Sequence, residues 1–149
     1  MSVPSSALAH MIRSSAADLG KIASELGDKF FWSPLDKGRS AHSQLVEVSG
    51  INLYAKHIVE TGAVPDPEWS MHEIKIEELD TPVKTVEYLT SAADLLATVV
   101  EVAPAERLAT VITLPFGGGM TKTIAEVVMM AYWNTVYHEG QVNYIDTLK

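Results

Sequence analysis

Four stretches of the chain repeat apolar residues at intervals of three and four, the spacing that lines one side of an α-helix and that a half-buried strand cannot use. The first runs from Ser5 to Phe31, with Pro4 preset for a helix start and Leu8, Met11, Ile12, Ser15, Leu19, Ile22 and Leu26 forming an inward face. Pro34 and Gly38 break the pattern. Ser40 then offers an N-cap for a second helix carrying His42, Leu45, Val46, Ser49, Leu53 and Lys56, which Gly62 stops. A third starts at the cap and first-turn pair Thr81-Pro82 and continues through Val86, Leu89, Ala93, Leu96 and Val100 to Pro104. The fourth opens on Thr123 and Glu126, a capping-box pair. Its buried side is read as Ile124, Val127, Val128, Ala131, Asn134, His138, Gln141 and Ile145.

Two segments stand outside this pattern. The acidic stretch from Gly62 to Asp80 carries Pro65 and Pro67 and is too long for a tight hairpin between helices, so it reads as a crossover loop. "LATVITLPFGGGM" combines β-branched residues with three consecutive glycines and describes an extended piece followed by a turn. No repeat, low-complexity run or linker divides the 149 residues. The expected fold is all-α, a four-helix bundle with long crossover connections in a single domain, 1–149.

Composition excludes several function classes. With no cysteine there is no disulfide, thiolate metal site or protein-borne thiol nucleophile, and any metal must be held by His, Asp, Glu or amide oxygen. Eleven basic against nineteen acidic side chains give a net charge of -8, and the basic residues are scattered, so nucleic acid is not an expected partner. No run approaches the roughly 20 apolar residues that a membrane span requires, so no membrane association is expected. The first twenty residues lack the pattern of a secretory signal, and the cytoplasm is the expected location.

Few motifs carry chemistry. "GGGMTKT" lacks the glycine that a phosphate loop places directly before its Lys-Thr pair, so the glycines read as a turn. Of the five histidines, His10, His57 and His72 sit among surface-type neighbours, whereas His42 and His138 fall on the apolar stripes of their helices. Asn134 stands one turn before His138 and faces the same space. Glu47 is expected to be solvated.

The order of several pieces resembles the DinB-like superfamily, whose members include bacillithiol transferases and mycothiol-dependent maleylpyruvate isomerases. These pieces are the long first helix, Trp32-Ser33-Pro34, His42 opening the second helix, the turn from Pro115 to Met120, and a final helix ending in His138, Gly140 and Gln141. In that family three histidines make the metal site, one from the second helix and a pair four residues apart on the last. His42 and His138 match two of them, and Asn134 stands where the third would be. The resemblance therefore implies a divalent metal, zinc or nickel, on His42, Asn134 and His138, with Gln141 as a hydrogen-bonding neighbour. It implies a metal-dependent transferase or hydrolase acting on a small molecule, with a low-molecular-weight thiol as a co-substrate of that chemistry, in a homodimer that could use the "ATVITLPF" segment as covered surface. Because amide oxygen binds zinc or nickel more weakly than imidazole does, the alternative is a non-catalytic relative that binds a small ligand or acts as a dimeric interaction protein.

Overall fold

The structure, a computed structural model, describes residues 3–148 and is mostly helical. Four long helices dominate: α1 (Ser5–Ser24), α2 (Ala41–Thr61), α4 (Pro82–Val102) and α6 (Ile124–Thr147). Two single-turn helices lie between them, α3 (Trp69–Glu73) and α5 (Ala105–Ala109). Strands β1 (Val111–Leu114) and β2 (Met120–Thr123) form an antiparallel hairpin that pairs Val111 with Thr123 and Leu114 with Met120. Among the described residues no helix is long and apolar enough to cross a membrane.

Local chemistry sets most of these boundaries. Ser40 and Thr81 accept hydrogen bonds from the backbone N–H groups three residues on, at Ser43 and Lys84, and so satisfy otherwise unpaired donors. At α6 the capping box is complete: Thr123 Oγ1 accepts from the Glu126 N–H, and Glu126 Oε2 accepts from the Thr123 N–H. Arg107 of α5 donates to the carbonyls of Val59 and Glu60, closing the C-terminal end of α2. The three glycines after Phe116 all adopt positive φ, which explains why the turn between β1 and β2 uses them.

Helix α1 stops seven residues before the sequence pattern does. Gly27 takes φ +58° and leads into a 3-10 turn at Gly27–Lys29, yet Leu26 and Phe30 stay buried, so the apolar spacing outlasts the helix. The 62–80 segment likewise holds α3 and a 3-10 turn at Ile76–Glu78, and Ile74 and Leu79 seat it on Val46 of α2.

Each of α1 and α2 packs chiefly on α4 and α6, which sets α1 diagonally opposite α2 across one core. Leu19, Leu45, Ile58, Leu89, Leu96, Ile124 and Val142 meet there with no appreciable exposure. On the surface, Arg13 of α1 pairs with Asp94 and Glu101 of α4.

Candidate functional site

His138 is the one histidine in the interior, with 2% of its surface exposed. Its ring is oriented by α2: Nδ1 lies 2.8 Å from Gln44 Oε1, and Gln44 Nε2 donates to the carbonyl of Arg39 at 3.2 Å. Because the amide nitrogen is committed to Arg39, Gln44 presents an acceptor to the ring. Nδ1 therefore carries the donated proton, which leaves Nε2 with a lone pair. Burial pushes the His138 pKa down from its ordinary value. Glu47 acts in the opposite direction, Arg39 again lowers it, and the neighbouring Gln141 side chain raises it.

A carboxylate lies near this nitrogen. Glu47 Oε2 stands 3.8 Å from Nε2, too far for a hydrogen bond, and the same oxygen is ion-paired with the Arg39 guanidinium. Glu47, expected from the sequence to be solvated, has a side chain that is 35% exposed and paired with Arg39. Asn134, one turn before His138 on α6, has a buried Oδ1 with no hydrogen-bond partner among the described residues. Such an orphaned acceptor costs about 1–3 kcal/mol and calls for an explanation.

Glu47, Asn134 and Ser70 give polar groups to a cleft of about 420 Å³, within the range that small-molecule sites occupy. Its walls are apolar: Ile51 and Tyr54 from α2, Leu114 and Phe116 from the hairpin, Met130 and Trp133 from α6. Pro67, Ser70 and Met71 close it from the side of α3. A molecule there would meet hydrocarbon and aromatic rings along most of its length, with a carboxylate, an amide and a hydroxyl as polar contacts.

The structure does not bring His42 to this place. Its Nε2 lies 2.9 Å from the carbonyl of Leu79, and its ring packs against Phe31 at 4.9 Å and Phe30 at 6.2 Å. Helical geometry gives the reason: His42 is two residues from Gln44, about 200° around α2, so the residues that face α6 are Gln44 and Glu47. His42 instead ties the end of the 62–80 connection to the start of α2. His42 thus lies apart from His138, while Glu47 stands 3.8 Å from His138 Nε2 and lines the same cleft as Asn134. Gln141 keeps its place beside the His138 ring.

Among the described residues no three His, Cys, Asp or Glu side chains cluster as a metal site. An amide oxygen lies outside that count. One nitrogen and two oxygens, from His138, Glu47 and Asn134, form a donor set that suits a borderline divalent ion. Two ligands about 2.1 Å from one ion stand about 3–4 Å apart, a spacing that the 3.8 Å between Nε2 and Oε2 matches. The orphaned Oδ1 is the kind of acceptor such an ion would satisfy.

Sequence reasoning missed Gln44, Arg39 and the role of Glu47. The available signal was the three-residue spacing of Gln44 and Glu47, continued by Ile51 and Tyr54 along one face of α2. No protein-family model, curated protein or solved structure matches the chain.

Proposed function

We propose that the chain is a DinB-like four-helix-bundle protein that holds a divalent metal on Glu47, Asn134 and His138 and acts as a transferase or hydrolase on a small molecule. The substrate would sit in the apolar cleft, and a low-molecular-weight thiol fits the same chemistry as co-substrate. The observation that carries this reading is the orphaned Oδ1 of Asn134, in one cleft with Glu47 and one turn from a histidine whose free nitrogen lies near that carboxylate. A bound ion supplies Lewis acidity and lowers the pKa of a coordinated water or thiol. The chain's own residues do the rest. Gln44 fixes the ring and tautomer of His138, Arg39 holds the Glu47 carboxylate in place, and the apolar walls orient the substrate and keep bulk water away.

Metal analysis of the untagged protein, followed by zinc, nickel and manganese titration of the stripped form, tests this. About one equivalent of tightly rebound metal is expected, lost in His138→Ala with helix content intact and weakened about tenfold or more in Asn134→Ala. Absence of any metal, with no rebinding, overturns it.

The Arg39–Glu47 ion pair favours a second reading, because it neutralises the one carboxylate without any metal. On that reading the chain is a non-catalytic relative that binds a small ligand in the cleft. Asn134→His would then create metal affinity where the parent protein has none. The exposed side chains of Met129 and Val136 on α6 and Val111 on β1 support a homodimer, which sedimentation velocity would detect as a doubled mass.

A further inference from the structure

A second cleft, of about 550 Å³, lies on the other side of the His138 network, between the 34–39 loop and the last turns of α6. The two clefts share a partition. Glu47 and Trp133 line the first, Arg39 and Tyr137 line the second, and the partners in each pair touch, through the ion pair on one side and through stacked rings 5.4 Å apart on the other.

The second cleft inverts the charge of the chain around it. No Asp or Glu is among its described lining residues, although the net charge of the sequence is -8. Lys37 and Arg39 enter it from the loop, and Tyr137, Gln141 and Tyr144 bring hydrogen-bonding groups from α6. Lys37 makes no ion pair among the described residues. Of the two positive charges, Glu47 balances one, so the cleft retains one positive charge.

The loop is also held in an unusual shape. Leu35 and Asp36 both adopt positive φ, a conformation that costs a side-chain-bearing residue about 1–2 kcal/mol. The N–H of Lys37 donates to the Leu35 carbonyl at 2.6 Å and that of Gly38 to the Pro34 carbonyl at 2.7 Å. Backbone strain of this kind, next to a cleft, marks a segment fixed for a purpose, and here it sets the positions of two cations.

We propose that the second cleft binds a small monocarboxylate. Its carboxylate lies on Lys37 and Arg39, its apolar body lies against Tyr137, Tyr144 and Ile145, and binding displaces Glu47 from Arg39. Inorganic phosphate would gain nothing from Tyr137, Tyr144 and Ile145, so these walls favour a carboxylate that carries an apolar body. The planar guanidinium presents parallel donors to a carboxylate, and the tyrosine rings favour an aromatic or aliphatic body over a highly polar one. Because Arg39 cannot serve both carboxylates fully, occupancy of the second cleft frees Glu47 for the first, and anything that draws Glu47 away strengthens carboxylate binding by the same factor. This inference rests on the second cleft and the Arg39–Glu47 pair and holds whether or not Glu47, Asn134 and His138 bind metal.

Calorimetric titration of the metal-stripped, untagged protein with benzoate, with neutral benzamide and with inorganic phosphate tests it in chloride-free buffer. Stripping the metal separates this result from the metal-site reading. Benzoate should bind, more tightly than phosphate, and benzamide should bind at least about tenfold more weakly. Lys37→Gln should weaken benzoate about tenfold with an unchanged circular dichroism spectrum. Glu47→Gln should tighten it about threefold or more, a gain that damage to the fold would not produce. Equal binding of benzamide, tighter binding of phosphate, no effect of Lys37→Gln, or no gain in Glu47→Gln would each overturn the proposal.

Discussion

Gly38 sits where no other residue fits. A Cβ there would fall 2.2 Å from the Pro34 carbonyl oxygen, a backbone atom that cannot swing aside. Gly38→Ala should therefore shift the 34–39 loop and carry Lys37 and Arg39 away from the second cleft, seen as a loss of benzoate binding together with a lower melting temperature. Asn134 poses the opposite case, a residue that costs stability. Replacing it with Leu removes a buried acceptor that has no partner and adds apolar contact, so thermal unfolding should move up by about 2–4 °C for each kcal/mol recovered. A melting temperature that falls in Asn134→Leu would show that the amide supports the fold. Gln44→Leu should have the reverse effect, a loss of about 1–3 kcal/mol, because it strands the buried Nδ1 of His138. His138 and Asn134 could be read as candidate residues because they lie one turn apart on a helix whose start is unambiguous. Glu47 could not, because a lone glutamate two turns into a helix looks solvated until its ion pair and the nearby imidazole are known.

Among the elements, α6 has the best-defined start. The hydrogen bond that Glu126 accepts from the Thr123 backbone lowers its carboxyl pKa, and the Thr123 hydroxyl and Lys122 act in the same direction. A carboxylate whose folded pKa is depressed adds stability above its unfolded pKa, about 4.3, and loses it as pH falls through the lower folded value. Chemical denaturation between pH 7 and 3 should accordingly show that Glu126→Gln flattens the acid loss relative to the parent, while Thr123→Ala costs about 1 kcal/mol at neutral pH. Caps of this type are written in sequence, which is why the starts of α2, α4 and α6 could be read from Ser40, Thr81 and Thr123. The end of α1 could not, since Leu26 and Phe30 keep helical spacing while Gly27 turns the chain aside. Nor could α3 and α5, single turns without side-chain caps in segments whose prolines indicated loop.

At the scale of the molecule, stability rests on the shared core and far less on surface charge. Leu96→Ala should cost about 2–5 kcal/mol, as a fully buried leucine in a close-packed interior does, whereas Arg13→Ala, which removes an exposed α1–α4 ion-pair cluster, should cost at most about 1 kcal/mol. Equal losses in urea denaturation would mean that the helices are held together by their rims. The number of long helices followed from periodicity, but the rotation of α2 did not, because Gln44, Leu45, Val46, Val48 and Ser49 are all buried and leave no single apolar stripe to orient it. With the rotation open, the family resemblance alone put His42, instead of Glu47, opposite α6. The stacked Trp133 and Tyr137, one in each cleft, have a practical consequence. With Trp32 and Trp69 changed to Phe, indole emission would come from Trp133 alone, and filling either cleft would alter its surroundings from a different side. The partition between the two clefts would thus carry its own optical gauge, able to report a ligand on either side without any added label.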